Sequence, residues 1–300
     1  MQMKVIVLLS SYNGEKFIEE QLESILQQTR IDVKILVRDD GSTDSTPQIL
    51  KKYKEGNKLD YYSGDNIGWR KSFLQLAQNA EDCEYYAFCD QDDYWMPEKL
   101  SVAISELEKL PDGPNLYVSN TYYWKGEIKV ISNKRAPNLK RDGCLIWTPG
   151  PGCTMVFNKK LLDIVNEHPI NNPEIAHDQW FFNIAHIFGH VYYDTNSYIL
   201  YRQHDNNQLG TTLGFLQRNK LRIKQFKELR NHRYIENMAK QLILCYGDIM
   251  SKDKLDSCNE LAYYRRDLGS YLFMLFTNKF NNKNFVTTIG LKLRVLLCHL

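Results

Sequence analysis

The chain contains no apolar run of the ~18–20 residues that a membrane-spanning helix needs, so it offers no candidate for one. Its seven cysteines, at 83, 89, 144, 153, 245, 258 and 298, include no C-x-x-C spacing and are odd in number. That removes the common zinc and redox motifs and favours reduced thiols of a cytosolic protein over a disulfide frame. The opening stretch, Met1 to Ser10, lacks the length and cleavage pattern of a signal peptide. A cytoplasmic location is expected, with a peripheral position at the inner face of the cell membrane as its other form. Net charge is only +2, and no nucleic-acid partner is expected. The hydrophobic share of 43% and charged share of 25% are those of an ordinary globular protein.

Charge is present but unevenly spread. Residues 215–300 hold 16 Lys+Arg against 7 Asp+Glu, so that part carries +9 and residues 1–214 carry −7. The asymmetry points to two parts with different work. The boundaries expected are a catalytic part over 1–214, with halves of about 1–115 and 116–214, and a basic helical region over 215–300.

The most informative stretch runs from Phe88 to Pro97. A strand-like segment, Glu84 to Cys89, ends in Asp90, Asp92 and Asp93, followed by Tyr94, Trp95 and a proline suited to the first turn of a helix. Three carboxylates within four residues raise one another's pKa. A divalent cation relieves that cost, and carboxylate oxygens suit Mg²⁺ or Mn²⁺. A solvated acidic turn is the plain alternative for such a cluster taken alone.

The segments around it form a strand–helix alternation. Lys4 to Leu9 reads as a strand buried on both faces. Glu15 to Gln28 has helical spacing, Val33 to Val37 is a second strand, and Thr46 to Tyr53 is a helix capped by Asp44 or Ser45. Leu59 to Tyr62 is a short strand, and Trp69 to Gln78 a helix. The pattern is α/β with a mostly parallel, nucleotide-binding type of sheet flanked by helices. Three loops, Ser10–Gly14, Asp39–Asp44 and Asp90–Asp93, follow strand C-termini. Ligands bind at that edge of open parallel sheets. Carboxylate-rich loops there suit a cation that in turn carries an anion such as a diphosphate.

Together, Ser10-Ser11-Tyr12-Asn13-Gly14, Arg38-Asp39-Asp40-Gly41-Ser42-Thr43-Asp44 and Cys89-Asp90-Gln91-Asp92-Asp93-Tyr94-Trp95 resemble family 2 glycosyltransferases with the GT-A fold. The wording from Cys89 to Leu100 is most similar to the bacterial rhamnosyltransferase-like branch. The resemblance spans roughly residues 3–210. It implies that Ser10, Tyr12, Asn13, Asp39 and Asp40 meet the nucleotide, and that Asp90 reaches the ribose or the metal. Asp92 would be the main contact of Mn²⁺ or Mg²⁺. Asn66, Arg70 and Lys71 would lie near the diphosphate or sugar; an exposed helix face is the other reading of Arg70 and Lys71. The metal would neutralise the leaving nucleotide.

In the second half, Leu116 to Trp124 reads as a strand and Arg135 to Cys144 as a surface loop over the site. Pro149-Gly150-Pro151-Gly152-Cys153 is a tight turn that lets backbone approach a ligand closely; the resemblance implies that Gly152 lies beside the acceptor, and a plain connector is the other reading. Thr154 to Asn158 is a strand, and Leu161 to Glu167 a helix. In Ala176-His177-Asp178-Gln179-Trp180, the resemblance makes Asp178 the base that takes the acceptor's proton, as transfer with inversion requires. A helix-start carboxylate is its plain reading. Trp180 either stacks on a sugar or joins the core with Phe181 and Phe182. Val191 to Tyr193 and Tyr198 to Tyr201 read as two closing strands. Arg202 and His204, matching the family's Tyr-Arg-x-His, would reach the metal and diphosphate. The Gln-x-x-Arg-Trp element of processive relatives is absent, so one sugar per encounter is expected.

Residues 215–300 carry none of these motifs. Leu261 to Phe276 and Phe285 to Leu300 read as helices. The region either lies on an anionic membrane as a basic amphipathic surface or packs on the catalytic part or a second subunit, as a homo-oligomer. The expected activity is inverting, metal-dependent transfer of one sugar, rhamnose from dTDP-rhamnose or a hexose from a UDP-sugar, to a saccharide or lipid-linked glycan acceptor. Two other classes compete. A nucleotidyltransferase wants a glycine-rich basic loop after the first strand, and Ser10–Gly14 has no Lys or Arg. A non-catalytic sugar-nucleotide binder predicts a missing metal acid or base, yet Asp90, Asp92 and Asp178 are all present.

Overall fold

The structure is a computed structural model, and it describes residues 3–133, 136–140, 142–170, 172, 174–203, 233–281 and 285–300. The chain forms two compact units. The first comprises Met1–Ala136, Pro149–Glu167 and Ala176–Asp205; the second comprises Pro137–Thr148, His168–Ile175 and Asn206–Leu300.

The first unit is built on β1 (Met3–Ser11). It pairs in parallel with β2 (Ile31–Asp39) on one side and β4 (Tyr85–Cys89) on the other. Strands on both flanks, with both faces covered, explain why Val5 to Leu9 is apolar without alternation and buried throughout. β3 (Asp60–Ser63) adds to β2, also in parallel. Helix α1 (Ile18–Leu26) buries Ile18, Leu22 and Ile25, the spacing its sequence showed. α2 (Thr46–Glu55) starts where the Asp44 carboxylate accepts the Thr46 N–H at 2.9 Å; Ser45 makes no side-chain cap. α3 (Trp69–Asn79) follows Gly68, whose φ of +81° lies in the region glycine favours.

Beyond β4 come β5 (Tyr94–Trp95), α4 (Lys99–Leu107), β6 (Asn115–Lys125), β7 (Ile128–Ile131), β8 (Val156–Asn158), α5 (Lys159–Glu167), α6 (His177–Phe188) and β9 (His190–Arg202). Pro97 precedes α4 by two residues and does not sit in its first turn. The nine-stranded sheet runs β3-β2-β1-β4-β8-β6-β9-β5, with β7 on β6. Chain order reverses between β1 and β4, and open α/β sheets bind ligands at such a switch point. The two closing strands expected after residue 190 are one strand. The polar break at Asp194 to Asn196 is absorbed as a register shift against Ser119 and Asn120. It is held there by Tyr117, whose hydroxyl donates to Asp194 Oδ2 at 3.0 Å, and by Asn120 Nδ2, which donates to the Thr195 carbonyl at 3.1 Å.

The second unit contains α7 (Tyr234–Tyr246), α8 (Lys252–Ala262), α9 (Leu268–Phe276) and α10 (Phe285–Leu296). The helix expected over Leu261 to Phe276 is therefore two. Asp267 breaks it by capping α9, accepting the Ser270 N–H at 2.7 Å. The loop expected over Arg135 to Cys144 is partly a 3₁₀ turn, Asp142–Ile146, belonging to this unit. Cys144 and Leu145 are buried, and Asp142 is held by Lys254 and Ser257 at 3.0 and 2.7 Å. Among the described residues, no helix is long and apolar enough to cross a membrane, and the described cysteines are free.

Candidate active site

The three loops at the β1/β2/β4 edge are sewn to one another. Tyr12 N–H donates to Gln91 Oε1 at 2.9 Å, and Gln91 Nε2 donates back to the Tyr12 carbonyl at 3.0 Å. Asn13 Oδ1 accepts the Thr43 N–H at 2.8 Å, and the Asn13 N–H donates to Ser42 Oγ at 2.9 Å. Asn13 adopts φ +48°, a left-handed conformation that asparagine tolerates. Ser10 is joined to Ser72 of α3, Oγ to Oγ, at 2.6 Å. The Tyr12 ring stays open, 46% exposed, beside this junction.

Asp39 and Asp40 are both buried. Asp39 accepts from the hydroxyl and the N–H of Ser42 and from the Ser11 hydroxyl. Asp40 is ion-paired with Arg38 and accepts the Ile67 and Gly68 N–H groups, each at 2.9 Å. Arg38 also binds Gln75 at 2.8 Å and the Asp65 carbonyl at 3.0 Å. Asp40 and Arg38 thus fasten the turn that carries Asn66 and leads to Arg70. Asn66 and Lys71 are exposed, and Arg70 is half-buried. The hydrogen-bonding capacity of Asp40 goes to that turn.

The acidic loop has two partly buried carboxylates, Asp90 and Asp92, and a third, Asp93, only 1% exposed. Burial, then the Asp92 and Asp178 charges, push Asp90 up to about 7 despite a hydrogen bond from the Cys153 thiol. Asp93 is raised as well, by burial and then by Asp92 and Asp90. Asp93 Oδ1 accepts the Arg202 N–H at 3.0 Å, and its Oδ2 has no hydrogen-bond partner. Ligand atoms of Asp90, Asp93 and Cys153 lie within 4.8 Å of one another. An orphaned carboxylate oxygen and mutually raised carboxylates fit a divalent cation with oxygen ligands. The Cys153 thiol stays protonated because burial raises its pKa well above the usual range.

Asp178 lies in the first turn of α6. Its Oδ1 accepts the Gln179 N–H at 2.7 Å. Burial raises its pKa, against hydrogen bonds from the backbone and the charge of Arg70. Gly152 comes so close to α6 that a Cβ there would meet His177 Nε2 at 2.6 Å and Asp178 Cβ at 3.3 Å. The glycine of the Pro-Gly-Cys turn is therefore dictated by the helix start. His177 is buried against Phe73, centroids 4.0 Å apart, and burial, then Arg70, lowers its pKa to about 3. The structure thus brings together Asp90, Asp92, Asp178, Arg70 and Gly152.

Trp180 is 0% exposed and packs in the core with Phe181 and Phe182, so its ring has no face open to a sugar. Arg202 is clamped: its Nε donates to the Asp92 carbonyl at 2.8 Å, its Nη2 pairs with Glu20, and its guanidinium lies over Trp124 and Phe17 at 4.1 and 4.7 Å. It ties the end of β9 to the acidic loop. His204 lies outside the described residues. Gln91 and Lys99 have no role in the sequence reading, and Asp93 has one only as a member of the acidic cluster. The signal for Gln91 is its place between the two aspartates of the Asp-Gln-Asp element.

A family model described as Glycosyl transferase family 2 matches residues 6–168. The chain belongs to this family. The match spans β1 to α5 and so includes all three loops, and the protein is a glycosyltransferase. It is 33% identical over 250 residues to dTDP-rhamnosyl transferase RfbG of Shigella flexneri, an alignment covering 77% of this chain and 82% of that one. Among solved structures, it is similar to TarS of S. aureus in complex with UDP-GlcNAc, with a TM-score of 0.60 and 18% identity over 98% of this chain and 80% of that one. It is also similar to the mannosyltransferase PcManGT from Pyrobaculum calidifontis in complex with GDP-Man and Mn²⁺, with a TM-score of 0.52 and 15% identity over 98% and 86% of the two chains. At such identities the structural likeness speaks for the fold, and the fold of this glycosyltransferase is GT-A.

Proposed function

We propose that the protein transfers one sugar, with inversion, from a nucleotide diphosphate donor to a saccharide or lipid-linked glycan acceptor in cell-surface polysaccharide assembly. Rhamnose from dTDP-rhamnose is the favoured donor, because the relative matched over most of both chains carries that name. A UDP-hexose is the runner-up. The observation that supports the mechanism best is that the Gly152–Cys153 turn lies against both groups: a Cβ on Gly152 would sit 3.3 Å from Asp178 Cβ, and the Cys153 thiol lies within 4.8 Å of ligand atoms of Asp90 and Asp93.

Asp92 and Asp90 would hold Mn²⁺ or Mg²⁺, which supplies neutralising charge to the leaving diphosphate. Asp178 sits apart from the nucleotide loops, beside Gly152, where it accepts the proton of the acceptor hydroxyl. Its raised pKa makes it a stronger base than a solvated aspartate. Arg70, whose Nε is buried and has no hydrogen-bond partner, faces the same space and is suited to the sugar or diphosphate. Tyr12, with its open ring, stacks near the base.

The basic C-terminal region docks on anionic membrane at the inner face, where a lipid-linked acceptor is presented. From Leu268 to Leu300 the sequence has four basic residues and no Asp or Glu, although Lys279 pairs with Glu260 at 2.7 Å and Lys292 donates to the Met274 and Thr277 carbonyls, so the exposed apolar side chains lead the argument. Leu268 and Phe276 of α9 are 72% and 78% exposed. Apolar exposure with charge of one sign suits an anionic lipid surface; assembly through a second copy is the competing outcome. The experiment for the catalytic reading is a thermal-shift screen of dTDP-, UDP- and GDP-sugars with and without Mn²⁺, followed by transfer assays. Stabilisation by dTDP-rhamnose that depends on Mn²⁺ is expected. Equal response to every nucleotide, or none, overturns the donor assignment.

A further inference from the structure

Arg202 ends β9, and its side chain joins two elements distant from it in sequence. Its Nη2 pairs with Glu20 in the first turn of α1, and its Nε donates to the Asp92 carbonyl at 2.8 Å. Its backbone N–H donates to Asp93 Oδ1 at 3.0 Å. The guanidinium lies over the Trp124 ring at 4.1 Å and the Phe17 ring at 4.7 Å, and the side chain is 16% exposed. The next residue closes the strand end, the Gln203 N–H donating to the Trp124 carbonyl at 2.8 Å. Two successive residues of the acidic loop, Asp92 and Asp93, are therefore held by one arginine, and that arginine is held by α1. Arginine suits the place, because its planar fork directs several donors at once and stacks on rings, whereas a lysine ammonium is a point charge.

We propose that Glu20 and Arg202 form a clamp that sets the acidic loop from outside it, and that both are positioning residues for the Asp92 carboxylate rather than contacts of the diphosphate. With its Nε on Asp92, its Nη2 on Glu20 and its plane over two rings, the guanidinium reaches a phosphate only by giving up these contacts. The pinned Asp92 carbonyl belongs to the residue read as the main cation contact. Fixing that carbonyl, and the side chain of the next residue, leaves the Asp92 carboxylate little freedom beyond its own side-chain rotation. A small cation with strict geometry gains from such restriction. Glu20 also neutralises the guanidinium, so the clamp brings little positive charge beside a cation site. The proposal rests on the reading that Asp92 meets the cation, but the clamp itself can be measured without metal.

The test compares Glu20→Ala, Arg202→Met and the double variant in the full chain, with two readouts. The first is Mn²⁺ affinity in the presence of dTDP, followed by electron paramagnetic resonance. Arg202→Met should weaken it by ~10–100-fold, the usual cost of losing a group that orients a metal ligand. Glu20→Ala should weaken it in the same direction, by ~3–10-fold, because the fork loses one of its anchors. In the Arg202→Met background, Glu20→Ala should change nothing further, and independent effects of the two overturn the proposal. If Arg202 is instead a diphosphate ligand, Glu20→Ala frees it, and affinity stays level or rises; that result overturns the proposal as well. The second readout is amide hydrogen exchange over residues 90–95 without metal or nucleotide. It should speed up in both single variants while exchange in β1 stays as in the parent. Unchanged exchange over 90–95 overturns the clamp even where the melting temperature falls, since a merely structural ion pair lowers stability without loosening this loop. A parent chain that binds no Mn²⁺ with dTDP defeats the metal reading instead, and the exchange readout then decides the clamp. If Arg202→Met fails to fold, Glu20→Ala, at an exposed position of α1, carries the decision through the same two readouts.

Discussion

The side-chain amide of Gln91 closes both backbone hydrogen bonds of Tyr12, accepting its N–H at 2.9 Å and donating to its carbonyl at 3.0 Å. The middle residue of the Asp-Gln-Asp element is thus a strut between the loops that follow β1 and β4. It fixes the backbone on which the exposed Tyr12 ring sits. It also dictates Gly14, where a Cβ would lie 2.3 Å from Gln91 Oε1.

Gln91→Leu and Gly14→Ala should therefore act alike. Both uncouple the same strut, one by removing the amide and one by pushing it away. Because the groups are solvent-accessible, the stability loss should be modest, about 0.5–1.5 kcal/mol. Nucleotide affinity should fall several-fold, since the Tyr12 loop is no longer held. Combining the two substitutions should add little to either. Calorimetric titration of dTDP into the three variants checks this; fully additive losses would show that the residues act separately.

Acid should release the metal. Burial, Asp92 and Asp178 raise Asp90 to about 7 from an ordinary 3.8. A carboxyl whose pKa is higher folded than unfolded opposes folding when ionised: the penalty is absent below the unfolded value and fully present above about 7. Binding a cation requires the ionised form, so Mn²⁺ uptake at lower pH must displace a proton. Mn²⁺ affinity with dTDP should hold steady above about pH 7 and fall by up to ~tenfold per pH unit below it. Asp90→Asn should flatten that dependence. Affinity that is level from pH 5 to 8 in the parent would remove Asp90 from the site.

Much of the edge that carries the three loops was legible in the sequence, because each loop there follows a strand with a plain signal. The apolar run of Val5 to Leu9 announced a strand flanked on both sides, and Asp39–Asp44 and Asp90–Asp93 marked where their strands end. Less legible was anything decided by distant partners. Asp40 reads as a ligand from its loop, but Arg38 and the Ile67 and Gly68 N–H groups occupy it. Arg202 reads as a phosphate ligand from its motif, yet Glu20, far away in sequence, claims its guanidinium. Trp180 could be read either way, and only three-dimensional packing put it in the core. Lys99 lies beside charged Glu98 in a polar-looking turn, and no local pattern marks it as buried.

The C-terminal region gives a separate test. The full chain should co-sediment with phosphatidylglycerol-rich vesicles at low salt and dissociate as salt rises, because screening cuts the attraction between basic residues and anionic lipid. Leu268→Ser/Phe276→Ser should reduce binding without lowering the melting temperature, since both side chains are exposed. No sedimentation at low salt, with a concentration-dependent dimer in solution, would give the face to a second copy of the chain.

Binding and chemistry should separate at Asp178. Asp178→Asn should bind donor nucleotide and Mn²⁺ almost as the parent does, while transfer to the acceptor falls by ~10²–10⁴-fold, the usual contribution of a positioned base. The reason is location. Asp178 sits at the start of α6 against Gly152, whereas Asp39 and Asp40 end β2 and Asp90 and Asp92 follow β4. The substitution is nearly isosteric and keeps an oxygen able to accept the Gln179 N–H, so the helix start is preserved. Removing the charge should also ease Asp90, whose raised pKa derives in part from Asp178, and so make Mn²⁺ binding slightly tighter at pH 6. Asp92→Asn should do the opposite, weakening nucleotide binding with Mn²⁺ and transfer together, because an amide is a poor ligand for a hard cation. The paired measurement, dTDP affinity with Mn²⁺ beside single-turnover transfer, distinguishes the two carboxylates. Near-full transfer by Asp178→Asn would mean the base lies elsewhere and that this aspartate serves the α6 dipole. Loss of nucleotide binding in that variant would move Asp178 into the cation's surroundings and leave the inverting step without its base.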